Sequence, residues 1–271
     1  MTTILVTGAN GQLGRCLEHI HKNYPDCKFL FTSSKTLDIT QEGAMLRYFE
    51  KAKPDYCINC AAYTRVEEAE KIPEKAFLIN AQGAKQLATV CENYQTVLIH
   101  ISTDYVFDGT KTTPYTEEDE PNPINAYGSS KLSGERYIQD LLKRYFIIRT
   151  SWLYSEFGRN FYKTILEKAK TQKEIHVTDQ ETGSPTNAND LAVFLIDIIR
   201  AGYKKYGIYH FCGPKIMTWY DFALSIIEEN QELKSLKVVK TKNYHTFAKR
   251  PVYSALKSSI ICFKDEKHSG K

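Results

Sequence analysis

Ile4-Leu5-Val6-Thr7-Gly8-Ala9-Asn10-Gly11-Gln12-Leu13-Gly14 joins a short apolar run to three glycines, and Leu13, Cys16, Leu17 and Ile20 then recur at helical spacing. The pattern reads as strand, glycine turn and helix. A turn of this kind lets the backbone approach a pyrophosphate closely, and the helix N-terminus adds free N–H groups and a partial positive charge. A glycine trio alone would equally suit a tight turn that packs a helix on a sheet. Its place between a first strand and a periodic helix favours dinucleotide binding by Gly8, Asn10, Gly11, Gln12, Leu13 and Gly14.

Working outward, strand-like runs at about 28–32, 55–60, 96–101 and 145–150 alternate with helical patterns at about 11–23, 41–52, 73–93 and 127–143. Such βα repetition predicts an α/β fold built on a doubly wound parallel Rossmann sheet covered on both faces. Right-handed crossovers then put the ligand crevice at the carboxyl ends of the strands, where Thr7, Ala61, Thr103 and Thr150 fall. After Trp152 the pattern loosens: a helix at about 158–171, an isolated strand near 175–177, a helix at 189–202, a strand at 208–211 and a helix from Thr218 to about Asn230. If the strand at 208–211 returns to the sheet, the C-terminal lobe is discontinuous. Residues 1–150 with about 186–214 would form the dinucleotide-binding domain, and 151–185 with 215–271 a smaller substrate-binding lobe. The polar stretch Lys264 to Lys271 lacks apolar periodicity and is expected to fray.

Composition narrows the function. With 271 residues the chain can bury a substantial core, and its net charge of +4 is scattered rather than gathered into a basic block interleaved with aromatics. Nucleic acid is therefore not an expected partner. The longest apolar stretch, Leu191 to Ile199, is broken by Asp197 and too short to span a bilayer, and the N-terminus lacks the layout of a signal peptide. A cytoplasmic enzyme is expected. Seven cysteines, an odd number without a regular framework, read as reduced thiols packed as small apolar groups. Cys57 and Cys60 form a CxxC on a strand-like run, where that spacing sends the side chains to opposite faces, so no zinc or redox site is read there. His100, inside Val97-Leu98-Ile99-His100-Ile101, reads as a satisfied core histidine rather than a ligand.

The chemistry is carried by Tyr127-Gly128-Ser129-Ser130-Lys131. A phenol and an ammonium four positions apart share one helical face, so Lys131 can act on Tyr127 and on a nearby ribose together. A free phenol titrates near ~10, and a cation within ~4–6 Å favours its anion by roughly 1–3 units, which would bring Tyr127 towards exchange near neutrality. Thr103, ending the strand that leads into the crevice, can donate its hydroxyl to the same carbonyl oxygen. Thr103, Tyr127 and Lys131 thus suit reduction of a ketone beside a nicotinamide. After the second strand the chain reads Ser33-Ser34-Lys35, where a site for NAD usually places a carboxylate. Nothing there repels a 2′-phosphate, so NADPH is the expected cofactor, with NADH possible as an alternative. Lys35 and Arg15 are candidate phosphate partners, and Asp38-Ile39 can border the adenine.

These segments resemble the extended short-chain dehydrogenase/reductases, and within them the dTDP-4-dehydrorhamnose reductase family. The resemblance runs in order through Thr7 to Gly14, Asn59-Cys60-Ala61-Ala62-Tyr63-Thr64, Ser102-Thr103-Asp104-Tyr105-Val106-Phe107-Asp108-Gly109, Pro121-Asn122-Pro123, Tyr127 to Glu135, Arg149 to Tyr154, Gly183-Ser184-Pro185-Thr186 and Arg250-Pro251-Val252-Tyr253-Ser254. It implies reduction of the 4-keto group of a dTDP-linked 6-deoxy sugar for polysaccharide biosynthesis, with a nucleotide sugar as the small-molecule partner. It also implies that Tyr127 donates the proton, that Lys131 activates it and holds the ribose, and that Thr103 bonds the carbonyl. Asp104 and Trp152 would contact the sugar, while Arg250 and Asn160 would meet the diphosphate. Gly11-Gln12-Leu13, Asp38-Ile39 and Ala62-Tyr63-Thr64 would line the dinucleotide. Some relatives carry a carboxylate where this chain has Cys16, part of a divalent-ion site at a dimer contact, so no metal is expected. The chain ends soon after Ser254-Ala255-Leu256 where relatives continue, which leaves monomer and homodimer both open.

Three other functions fit less of the sequence. A sugar-nucleotide dehydratase of the same superfamily would carry Asp-Glu after the strand-end threonine, whereas Asp104 is followed by Tyr105. A reductase of another nucleotide-linked 4-keto sugar would differ only in pocket shape. A non-catalytic NADP-binding regulatory subunit, of the kind that associates with methionine adenosyltransferase, would not need Tyr127 and Lys131 intact.

Overall fold

Six parallel strands form the framework of the computed structural model, which describes residues 1–230, 233, 236–242 and 246–259. The stretch from Lys264 to Lys271 lies outside the described residues. The first half runs β1 (Thr2–Thr7), α1 (Gln12–Ile20), β2 (Cys27–Phe31), α2 (Glu42–Ala52), β3 (Tyr56–Asn59), α3 (Val66–Lys71), α4 (Pro73–Phe77), α5 (Ala84–Asn93), β4 (Val97–Thr103), α6 (Ala126–Leu141) and β5 (Tyr145–Thr150). The second half runs β6 (Leu153–Tyr154), α7 (Phe161–Ala169), β7 (Glu174–Thr178), β8 (Thr182–Gly183), β9 (Thr186–Asn187), α8 (Ala188–Arg200), β10 (Gly207–His210), β11 (Met217–Thr218), α9 (Trp219–Glu229) and β12 (Lys237–Thr241).

The sheet order is β10-β5-β4-β3-β1-β2, so the chain leaves β1 in one direction and passes back across it to reach β3. The crevice created by that reversal opens at the carboxyl ends of β1 and β3. Alternation along each strand sorts side chains into two layers. Ile4, Val6, Ile58, Ile99 and Ile148 meet α1 and α8 on one face, through Leu13, Leu17, Leu191 and Leu195. Leu5, Cys57, Leu98 and Ile147 meet α2, α5 and α6 on the other, through Phe49, Leu87 and Ile138. Cys57 on β3 and Cys60 just after it divide between these layers.

Two features differ from the sequence expectation. The segment expected as one helix over 73–93 is α4, a six-residue π-helical turn at Leu78–Gly83, and α5, with α3 as a further helix before it. Pro73 starts α4, where its missing N–H costs nothing. The wide turn then carries Asn80 inward, where its amide holds the Tyr63 backbone at both N–H (2.8 Å) and carbonyl (3.0 Å) and donates to Ser130 Oγ (2.9 Å). The strand expected to be isolated near 175–177 is β7, paired in parallel with β12. Lys237-Val238-Val239-Lys240 has too few apolar residues to announce itself as a strand. Around that pair Ile165, Ile175, Phe222, Ala223 and Ile226 build a separate apolar cluster, and β10 joins the main sheet beside β5.

A buried ion pair ties α6 to the sheet. Arg149 Nη2 lies 2.7 Å from Glu135 Oε2, both side chains almost wholly buried, and Ser102 Oγ donates to the same carboxylate. Removing one charge strands the other in a low-dielectric interior. Glu135→Gln should therefore lower the unfolding free energy by about 3 kcal/mol or more, while the double variant Glu135→Met with Arg149→Met recovers much of that loss. Urea denaturation of the three proteins checks both statements.

Candidate active site

The turn after β1 depends on glycine at two positions. Gly8 has φ +68°, and a Cβ there would stand 2.6 Å from the Ala61 backbone nitrogen; one at Gly14 would stand 2.5 Å from Ala9 Cα. The turn therefore sits directly against the end of β3, and α1 presses on the turn. Gly11 caps α1 without side-chain help, so the first N–H groups of the helix remain available for an anion.

Beside the turn lies a cleft of about 430 Å³ whose lining includes Gly11, Gln12, Leu13, Ala62, Thr64, Thr103, Asp104, Tyr127, Lys131 and Trp152. It adjoins a larger one of about 1050 Å³ that Asn10, Gly11, Gln12, Thr64, Asn160 and Arg250 help to line. Gly8, Gly14, Ala61 and Tyr63 do not line either cleft. Ser33, Lys35, Asp38 and Ile39 line neither. They follow β2, where Ser33 and Thr36 close a turn and Ser34 and Lys35 are exposed. Ile39 is 4 % exposed and packs into the core with Leu37 and Met45. Asp38 Oδ1 accepts from both the N–H (2.9 Å) and the hydroxyl (2.8 Å) of Thr40.

Asn125 begins α6 by accepting from Gly128 N–H at 2.8 Å, which fixes the turn that presents Tyr127. Ser130 Oγ donates to the Tyr127 carbonyl, and Tyr105 meets the Tyr127 ring edge-on at 5.9 Å. Burial pushes the Tyr127 phenol up to about 12, while a hydrogen bond with Thr103 works against it. The expectation that Lys131 brings this phenol towards neutrality is therefore not what the structure shows. Lys131 Nζ is engaged elsewhere, donating to the Ile101 carbonyl at 2.6 Å and lying 3.2 Å from His100 Nε2. Burial pushes its ammonium down to about 8, although Glu135 and Cys60 pull the other way.

Asp104 follows Thr103 into a buried turn, 3 % exposed, and burial raises its carboxyl to about 7 despite hydrogen bonds from Ser254 and Thr103. Trp152, at φ +45°, stacks on Trp219 with ring centroids 3.5 Å apart and planes 2° from parallel. Trp219 was not singled out by sequence, since a tryptophan at a helix start carries no motif. Asn160 is the N-cap of α7, accepting from Lys163 N–H at 3.0 Å, and its amide donates to Gln12 Oε1 at 2.7 Å, tying that helix to the glycine turn. Arg250 reaches Glu67 Oε1 at 3.0 Å. Cys16 is fully buried with its thiol pushed up to about 11 by burial. Among the described residues no three His, Cys, Asp or Glu side chains gather as a metal site would need, and no helix is long and apolar enough to cross a membrane.

A glycine turn at the first crossover, with a Tyr and a Lys one helical turn apart beside a strand-end threonine, defines an oxidoreductase of the extended short-chain dehydrogenase/reductase class. Residues 1–264 match the family model described as the RmlD substrate binding domain, and the chain belongs to that family. The dTDP-4-dehydrorhamnose reductase of Aggregatibacter actinomycetemcomitans is 39 % identical over 266 residues, covering 94 % of this chain and 90 % of that protein. The dTDP-4-keto-6-deoxy-D-glucose reductase of Streptomyces niveus is 39 % identical over 220 residues, covering 81 % of this chain and 75 % of that protein. Among solved structures, dTDP-4-dehydrorhamnose reductase from Bacillus anthracis in complex with NADP superposes with a TM-score of 0.91 at 37 % identity, covering 96 % of this chain and 91 % of that one.

The elevated Asp104 carboxyl has a consequence for stability. Its folded value of about 7 lies above the ordinary 3.8, so the group favours the folded state fully only below about pH 4, and that contribution is lost as pH rises to about 7. Asp104→Asn should therefore gain stability relative to wild type between pH 4 and pH 8, by an amount on the order of 3 kcal/mol. Denaturation curves at those two pH values, showing no growth in the difference, would contradict the burial argument.

Proposed function

We propose that the chain reduces the 4-keto group of a dTDP-linked 6-deoxy sugar, converting dTDP-4-dehydro-L-rhamnose to dTDP-L-rhamnose with NADPH, in the cytoplasm. The observation that carries this reading is the meeting of Thr103, Tyr127 and Lys131 on the floor of a cleft walled by the glycine turn and Trp152. The family membership and the NADP complex of the Bacillus anthracis relative support it.

The residues fit a dinucleotide. The turn at Gly8 and Gly11 brings backbone, without side chains, to the N-terminus of α1, which suits a pyrophosphate. Lys131 faces the same cleft and suits a ribose. The choice of NADPH over NADH is supported by the loop after β2. Its first carboxylate, Asp38, already spends one oxygen on Thr40, and the exposed Lys35 precedes it. Bound on this floor, the reduced nicotinamide would supply the hydride. Tyr127 Oη gives its proton to the ketone oxygen as charge develops there, and Thr103 Oγ1 donates a hydrogen bond to the same oxygen. Lys131 Nζ returns a proton to Tyr127. Asp104 and the Trp152 ring would contact the sugar, and Arg250 and Asn160, both in the lining of the larger cleft, would meet the diphosphate.

Residues 1–150 with about 186–214 act in this reading as the cofactor-binding domain, and 151–185 with 215–271 as the substrate lobe, in a monomer or homodimer. The Streptomyces niveus relative supports a second reading, reduction of another nucleotide-linked 4-keto sugar by the same residues.

Purified protein should consume NADPH in the presence of dTDP-4-dehydro-L-rhamnose, followed by loss of NADPH absorbance. Turnover only with a different nucleotide-linked 4-keto sugar would select the second reading, and no turnover with any would defeat both. Tyr127→Phe should lower kcat by about 10²-fold or more with NADPH binding largely kept, because the ring stays and only the proton donor goes.

A further inference from the structure

His100 is buried at 1 % exposure, and its two ring nitrogens have different partners. Asn59 Nδ2 lies 3.0 Å from Nδ1, and Lys131 Nζ lies 3.2 Å from Nε2. The orientation of the Asn59 amide is set from its other end: Oδ1 accepts from the Ala61 backbone N–H at 3.1 Å and from Thr7 Oγ1 at 2.7 Å. A backbone N–H can only donate, so Oδ1 is the acceptor and the NH₂ faces the imidazole. An amide NH₂ also only donates. Nδ1 must then carry the lone pair, and the hydrogen of the neutral ring sits on Nε2, aimed at Lys131.

An ammonium has three donors and no acceptor. Facing Nε2–H, it would set donor against donor, whereas the uncharged amine offers a lone pair to Nε2–H and still donates to Ile101. We propose that His100 is a positioning residue for the reduction: locked by Asn59 as an Nε2–H donor, it stabilises the amine form of Lys131, so that Lys131 releases its proton to Tyr127 after each turnover. The proton balance is complete. Tyr127 Oη–H gives a proton to the ketone oxygen, the Lys131 ammonium gives one to the phenolate, and Nε2–H holds the resulting amine until solvent reprotonates it. His100 itself never changes charge, since burial and the neighbouring Lys131 hold its pKa well below the ordinary histidine value.

The strand register shows that the arrangement is built in. Thr7 pairs with Asn59 and Asn59 with His100 across β1, β3 and β4, so the three side chains stand in one row on the face covered by α6. The other titratable groups around Lys131 are Cys60 after β3 and, on its own helix, Tyr127 and Glu135. The Cys60 thiol is pushed far up by burial and stays neutral, and Glu135 is held by Arg149.

The proton-return role rests on the reductase reading, but the lock itself can be tested without substrate. In full-length protein with ¹⁵N-histidine and ¹³C-lysine labels, His100 should show the Nε2–H tautomer, and Lys131, identified by its absence in Lys131→Met, should titrate below the other lysines. His100→Gln keeps the same polarity, its oxygen accepting from Asn59 and its NH₂ donating to Lys131, and should titrate as wild type does. His100→Leu should raise the Lys131 titration by about one pH unit, and the alkaline limb of kcat with it, with little change in KM for NADPH. An Nδ1–H tautomer, coincident behaviour of the Gln and Leu variants, or an unmoved Lys131 in His100→Leu would each overturn the proposal. A wild-type chain that shows the lock but reduces no sugar would instead defeat the functional reading.

Discussion

A row of hydrogen bonds across the carboxyl ends of β1, β3 and β4 governs the architecture of the site. Thr7, Asn59 and His100 stand side by side in register, and Lys131 of α6 closes the row. Each group is buried, so each must find a partner, and the partners available leave one consistent assignment of donors and acceptors. Two residues further along β4, a second buried set forms as Ser102 and Arg149 meet Glu135. Helix α6 is thus fixed to the sheet by polar contacts at two heights, Lys131 and Glu135, which lie one turn apart on the helix face. Tyr127, a turn earlier on that face, inherits its position from both.

The same geometry separates two demands that would conflict on one surface. Backbone N–H groups without a side-chain cap, which suit a phosphate, lie at the glycine turn on the β1 side of the crevice. Buried side chains with shifted pKa values, the kind proton transfer requires, lie on α6 and at the end of β4. The second half of the chain completes the enclosure. Its Trp152 and Trp219 pair is continuous with a separate apolar cluster around β7 and α9, and the Asn160 amide pins that half to Gln12 of the turn.

The fold was legible because its signals are local. A βα rhythm, a glycine turn after the first strand, and the Tyr127 and Lys131 spacing each follow from residues within a few positions of one another, and the structure gathers Thr103, Tyr127 and Lys131 into one cleft. The shortfalls arise where the deciding contact is distant in sequence. The helical spacing relates Lys131 only to Tyr127, whereas its hydrogen-bond partners come from β4, some 30 residues away. His100 was read as a satisfied core residue, which it is, yet no pattern within β4 reveals that Lys131 satisfies it. Asn80 carries no local signal because its inward aim depends on a π-helical turn. β12 became visible only against β7.

The chain contains two tryptophans, and these are the two rings stacked in the wall of the cleft. Excitation of the indoles therefore samples the wall of that cleft. Emission intensity and quenching become an intrinsic optical signal for occupancy of the cleft, readable in unlabelled protein. A ligand that parts or covers the stacked pair announces itself without any reporter being attached.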